Sequence, residues 1–167
     1  MRFGPAGYPP EGKTTKDKMD IIKNLGLDAL EVEFVRGAKI SEDKAKETGS
    51  LAKERDIRLS AHAPYFISFN SDKQETRDKS IQWVMDTVHA AHNMGAYLIV
   101  IHAASYGKTP ETATSSVIDG LLKCREIMDD EGKSARSKQQ SCSSFSLRTR
   151  RVVSASCGVV APYFSTK

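Results

Sequence analysis

The chain has 167 residues, which is enough for one domain with a hydrophobic core. Hydrophobic residues make up 39% of the chain and charged residues 28%, a balance typical of globular proteins. The sequence contains no run of about 18 apolar residues, which argues against a membrane-spanning helix. The N-terminus also lacks the apolar stretch of a signal peptide. We therefore expect a cytoplasmic protein with no membrane partner.

Charge is distributed unevenly along the chain. The formal net charge is +4, from 25 Lys and Arg against 21 Asp and Glu. Seven of the basic residues and none of the acidic ones lie in residues 133–167, which leaves 18 basic against 21 acidic residues in 1–132. An argument for nucleic-acid binding from the overall charge would therefore rest on the end of the chain alone.

Residues 1–132 alternate four times between a predicted strand and a predicted helix. The predicted strands are Met1–Gly4, Ala29–Val35, Ile57–His62 and Tyr97–His102. Capping residues and apolar stripes mark the helices. We expect the first two helices at about Thr15–Leu25 and at Ser41–Arg55. The third should follow the apolar stripe Ile81, Val84, Met85, Val88 and Ala91 and end at Gly95. The fourth should begin at Thr109 and Pro110 and follow the apolar stripe Val117, Leu121, Cys124 and Met128.

This alternation predicts an α/β fold, a parallel sheet with crossover helices. An open doubly wound sheet and a barrel both satisfy the pattern. No Gly-x-Gly-x-x-Gly follows any strand, which disfavours a dinucleotide-binding fold. A complete (β/α)₈ TIM barrel needs about 250 residues. Four units in residues 1–132 therefore predict the first half of such a barrel.

The sequence changes character after Gly132. Residues 133–167, called the tail below, contain nine Ser and seven Lys or Arg, and they lack Asp, Glu and His. The predicted fifth strand is missing at this point. We interpret the tail as a disordered basic, Ser/Arg-rich segment or as out-of-frame sequence. A folded addition is a third interpretation that the sequence leaves open.

Two histidines occupy equivalent places in the predicted sheet. His62 ends the third predicted strand and His102 ends the fourth. The carboxyl ends of parallel strands are where α/β folds build their sites, and adjacent strands lie about 4.8 Å apart. Two imidazoles there can approach closely enough to share a tetrahedral zinc ion. The alternative is that each is an ordinary pocket or capping histidine.

Carboxylates and hydroxyls surround this predicted pair. Glu31 and Glu33 alternate with apolar residues on the second strand, which would turn both carboxylates into the barrel lumen. They could hold a cation, act as a base, or form a structural ion pair. Tyr65 follows His62 by three residues and could stack on a base or sugar, and Ser105 follows His102 by three.

Several segments resemble those of endonuclease IV-type apurinic/apyrimidinic endonucleases, members of the xylose-isomerase-like TIM-barrel superfamily. The segment S-A-H-A-P-Y-F-I-S-F-N-S, residues 60–71, is similar to the third-strand region of that family. The segment L-I-V-I-H-A-A-S-Y, residues 98–106, resembles its fourth-strand region. The segments F-G-P-A-G, residues 3–7, and L-E-V-E-F-V-R-G, residues 30–37, resemble archaeal-type members. The resemblance covers about residues 1–132.

The resemblance implies a zinc-dependent DNA-repair enzyme. A trinuclear zinc site would activate water for cleavage of the phosphodiester 5′ to an abasic site in double-stranded DNA. By this resemblance His62 and His102 would be zinc ligands, and Tyr65 would contact the damaged nucleotide. Arg36 and Ser105 are further candidates for DNA contacts. No residue of this chain is assigned as catalytic.

The expected ligand set is incomplete, because the bridging Glu of the fifth strand and the later His, Asp and Glu ligands have no counterpart after Gly132. We therefore expect this chain to be inactive or impaired by itself. One alternative function is a sugar isomerase or epimerase of the same superfamily. In such an enzyme Glu33 is a stronger candidate for a metal ligand or a general base. Another is a non-catalytic fragment. A half barrel also leaves strand edges open, which predicts self-association.

Overall fold

The structure is a computed structural model that describes residues 1–106, 110–138 and 159–162. Within these ranges strands and helices alternate as the sequence predicts, and the α/β half-barrel prediction is confirmed. The elements in chain order are α1 (Thr15–Asn24), β1 (Ala29–Glu33), α2 (Glu42–Glu54), β2 (Arg58–His62), α3 (Gln74–Met94), β3 (Leu98–Ile101), α4 (Pro110–Lys138) and β4 (Val159–Pro162).

The sheet has the strand order β1-β2-β3-β4. Strands β1, β2 and β3 are parallel, with Glu33 beside His62 and His62 beside Val100. The fourth strand runs antiparallel to β3, with Val160 beside Val100. Since all strands of a (β/α)₈ barrel are parallel, β4 is not the next strand of such a barrel.

The predicted first strand, Met1–Gly4, is an extended segment that pairs with β1 over only a few residues. Phe3 and Pro5 accept backbone hydrogen bonds from β1 and the residue before it, and Gly7 donates one back to Glu31. Pro5 has no N–H to donate, which interrupts a regular ladder. Gly4 lies so close to β1 that an added Cβ would stand 1.7 Å from the Ala29 oxygen. The prediction was therefore right about the pairing, but wrong about a regular strand.

Helix boundaries follow from capping groups. Ser41 caps α2 by accepting a hydrogen bond from the Lys44 N–H at 3.3 Å. Gly95 ends α3 in the left-handed conformation, with φ of 65°, which glycine adopts without steric cost. The predicted N-cap of α4, Thr109, lies outside the described residues. The predicted fourth stripe is confirmed: Cys124 is buried, and Val117, Leu121 and Met128 pack partly buried against the core.

The core lies between the helices and one face of the sheet. Alternate strand residues fill it, namely Leu30, Val32, Leu59, Ala61, Ile99 and Ile101. Burial raises the pKa of the Cys124 thiol on α4 to about 11, as expected for an unreactive core cysteine.

No helix in the described part of the chain combines the length and apolar character needed to cross a membrane.

Candidate functional site

His62 and His102 come together at the carboxyl ends of β2 and β3. His62 is the last residue of β2 and is 7% exposed, whereas His102 directly follows β3 and is exposed. Their ring centroids are 5.0 Å apart, with an angle of 39° between the ring planes. The two histidines predicted to be neighbours are therefore in direct contact, on the sheet face opposite the apolar core.

The hydrogen bond of His62 fixes which ring nitrogen is available. Its Nδ1 lies 2.8 Å from the carbonyl oxygen of Ala63. A carbonyl oxygen can only accept a hydrogen bond, so Nδ1 carries the proton in this contact. In the neutral ring Nε2 then holds the lone pair, the arrangement found in metal-binding histidines whose other nitrogen donates to the backbone.

Tyr65 completes a cluster of three rings. Its ring centroid lies 5.1 Å from that of His62 and 5.7 Å from that of His102, and it stacks on His102 with an interplanar angle of 29°. Tyr65 is nevertheless 54% exposed, because it sits in the loop after β2. The cluster thus presents one aromatic face to solvent directly beside the two imidazoles.

Glu33 and Glu31 lie on the same face of the sheet as the histidines, as predicted. Glu33 is directly beside His62 in the β1–β2 register, and its carboxylate lies against Gly7, where an added Cβ would approach Oε2 within 3.2 Å. Glu31 is one layer deeper, and its carboxylate accepts a hydrogen bond from the Ser60 hydroxyl at 3.5 Å. Two carboxylates therefore make the β1 side of the site acidic.

Arg36 and Ser105 lie in the loops that follow β1 and β3. Arg36 is exposed in the turn after β1, one residue before Gly37, which has a positive φ of 98°. Ser105 is exposed in the loop after β3, and its carbonyl oxygen accepts a hydrogen bond from the Asn70 side chain at 3.3 Å. Both loops are at the carboxyl end of the sheet, which is also where the histidines lie.

His62 and His102 are the candidate metal ligands of the ring cluster. Among the residues that the structure describes, no three His, Cys, Asp or Glu side chains are grouped closely enough to hold a metal ion. Two imidazoles, one of them oriented by a backbone carbonyl, fit half of a four-coordinate zinc shell. They do not fit the three-metal centre that the sequence resemblance implies.

Asn70 is the residue of this region that the sequence analysis missed. Its amide contacts the loop after β3 at two backbone carbonyls, those of Ser105 and Tyr106. Backbone partners leave no signal in side-chain patterns, so no spacing rule could have found them. Asn70 lies in the loop between β2 and α3, and its sequence position gave it no predicted role.

Comparisons with known proteins agree with this geometry at the level of the fold. The profile of the family described as "Xylose isomerase-like TIM barrel" matches residues 19–135. An uncharacterized protein of Methanocaldococcus jannaschii is 35% identical over 121 residues, which cover 72% of this chain and 43% of that protein.

Solved structures share the fold at low sequence identity. D-psicose 3-epimerase from Clostridium cellulolyticum H10 is 16% identical with a TM-score of 0.61, over 78% of this chain and 49% of that one. The protein SacUVDE is 19% identical with a TM-score of 0.53, over 65% of this chain and 42% of its own. The chain thus spans about half the length of the relatives it matches.

Proposed function

Since the chain belongs to the xylose isomerase-like TIM barrel family, we propose that it is the first half of a zinc-dependent DNA-repair endonuclease that cleaves 5′ to abasic sites. The observation that carries this proposal is the contact between His62 and His102, with ring centroids 5.0 Å apart at the ends of neighbouring strands. Tyr65 stacked beside them adds an exposed aromatic surface where a nucleotide could lie.

Each residue has a distinct part in this proposal. His62 and His102 would be ligands to one zinc ion, with His62 Nε2 turned to the metal because Nδ1 bonds Ala63. Bound zinc supplies an activated water and stabilises charge on the phosphate oxygens. Tyr65 would stack on the damaged nucleotide, while Arg36 and Ser105 would contact the DNA backbone. The remaining zinc ligands would come from the second half of the barrel.

Zinc titration tests the ligand assignment directly. We expect His62→Asn and His102→Asn each to weaken Zn²⁺ binding by more than about tenfold, measured by calorimetry on the full chain. His92→Asn, on the exposed side of α3, is the matched control and should bind like the wild type. Equal affinity of all four chains would contradict the assignment.

A hybrid barrel tests the activity. The 167-residue chain alone should not nick a duplex with one abasic site above background. Residues 1–132 fused to the second half of the Methanocaldococcus jannaschii relative should nick it, and His62→Asn should abolish the nicking. Robust, EDTA-sensitive nicking by the chain alone would show that the half barrel is sufficient, against the proposal. A folded hybrid without nicking would refute the endonuclease assignment.

One observation favours a second function, a sugar isomerase or epimerase. Glu33 lies directly beside His62, and a carboxylate there could act as a base or bind sugar hydroxyls. It would also repel a phosphate. The same hybrid separates the two functions, since conversion of a ketohexose that is lost in Glu33→Gln, without nicking of DNA, would support the sugar enzyme.

A further inference from the structure

The side chain of Asn70 connects the two loops that carry the ring cluster. Its Nδ2 donates hydrogen bonds to the carbonyl oxygens of Ser105 at 3.3 Å and Tyr106 at 3.1 Å. Its Oδ1 accepts one from the Thr112 hydroxyl at 3.4 Å. Because carbonyl oxygens only accept, the amide nitrogen must face them, which fixes the orientation of the amide.

The preceding residue, Phe69, attaches the same loop at two more points. Its N–H donates to the carbonyl of Ala103 at 2.9 Å, one residue after His102. Its ring is 1% exposed and lies against Gly120 of α4, where an added Cβ would come within 2.4 Å of the ring. Residues 69 and 70 thus tie the loop after β2 to both the loop after β3 and helix α4.

These attachments bear on the ring cluster because its members belong to different loops. Tyr65 belongs to the loop after β2, whereas His102 opens the loop after β3. Their stacking at 5.7 Å persists only while the two loops keep their relative position. We propose that Asn70 is a positioning residue, which holds the loop after His102 against the loop after His62 and so keeps Tyr65 stacked on His102. The value of this role for catalysis rests on the proposed function.

The chemistry of the amide explains why this position suits Asn. Three partners, two acceptors and one donor, converge on one short side chain. Asp could accept from Thr112, but it would turn a charged oxygen toward two carbonyl oxygens. Ala would remove all three hydrogen bonds of the Asn70 amide. The substitution Asn70→Asp should therefore displace the loop more than Asn70→Ala does.

Site-resolved NMR on the full chain tests the proposal without zinc or DNA. We expect the Phe69 amide to exchange about tenfold faster in Asn70→Asp, in line with the loss of one or two hydrogen bonds. The cross-peaks between the Tyr65 and His102 rings should also disappear. The control Asn24→Ala changes an exposed asparagine at the end of α1 and should leave both signals as in the wild type.

The proposal would be overturned if the exchange rate of the Phe69 amide and the Tyr65–His102 cross-peaks stayed unchanged in Asn70→Asp. A uniform acceleration of exchange across β1, β2 and β3 would also overturn it, since Asn70 would then serve only global stability. Should Asn70→Asp not fold, Thr112→Val removes the hydrogen bond from the Thr112 hydroxyl to Asn70 and must still accelerate Phe69 exchange. A hybrid that fails to nick DNA refutes the proposed function, but it leaves these loop measurements standing.

Discussion

Two glycines of helix α4 differ in what a side chain would meet. A Cβ on Gly120 would lie 2.4 Å from the ring of Phe69, whereas a Cβ on Gly132 meets nothing within 4 Å. In an unobstructed helix, alanine in place of glycine stabilises by up to about 1 kcal/mol. At Gly120 the collision involves a ring that is 1% exposed, so the ring can move only by disturbing the packing around it.

We therefore expect opposite signs for the same substitution. Gly132→Ala should raise the free energy of unfolding by about 0.5–1 kcal/mol. Gly120→Ala should lower it by about 1–3 kcal/mol, because overpacking outweighs the gain in helix propensity. Urea denaturation followed by circular dichroism measures both, and each variant is the control for the other. A Gly120→Ala chain as stable as the wild type would show that Phe69 is not confined.

At the scale of an element, α1 begins with a reciprocal capping pair. The Asp17 N–H donates to the Thr14 hydroxyl at 3.1 Å, and the Thr14 N–H donates to the Asp17 carboxylate at 3.0 Å. The hydrogen bond from the Thr14 N–H is the main reason that the pKa of Asp17 is lowered. The pair thus satisfies N–H groups that would otherwise lack a partner at the helix start.

The lowered pKa makes the contribution of Asp17 depend on pH. The carboxylate stabilises the fold fully above the pKa of an unfolded Asp, about 3.9, and the effect is lost as pH falls through the lower folded value. Thermal melts of wild type and Asp17→Ala from pH 7 to pH 2 should show a higher wild-type melting temperature at neutral pH and converging values in acid. A difference that persists at pH 2 would mean that the carboxylate's charge is not involved.

The strands and the histidine pair could be predicted from sequence because each has a local signature. Apolar residues alternate with polar ones in β1 and β2, and β3 is a continuous apolar run; His62 ends β2 and His102 directly follows β3. The segment Met1–Gly4 was predicted as a strand, but Pro5, which follows it, has no N–H to donate, and this limits the pairing with β1. Asn70 could not be predicted, since its main partners are backbone carbonyls 35 and 36 residues away. Tertiary contacts of this kind depend on how two loops meet.

For the whole molecule, the three-stranded parallel sheet has backbone partners on both edges. The N-terminal extended segment lies along β1, and β4 lies along β3. By the residues that the structure describes, the sheet face that bears the histidines is incompletely covered, with Leu98 and Val100 only half-buried. Exposed sheet edges promote pairing between chains. Self-association of the half barrel stays a prediction, and the pairing of β4 suggests which edge controls it.

Opening the β3 edge should increase association between chains. Proline cannot donate to a strand ladder, so replacing both Val160 and Ala161, which pair with Val100 and Ile99, removes β4 as a partner whichever N–H faces β3. Val160→Pro with Ala161→Pro should shift sedimentation-velocity profiles toward dimers and larger species at concentrations where the wild type is smaller. The Asn24→Ala chain, altered far along the sequence from β4, should sediment like the wild type. If the proline variant also sediments like the wild type, the β3 edge is not the surface through which chains associate. The sheet face that bears the histidines would then be the next surface to substitute.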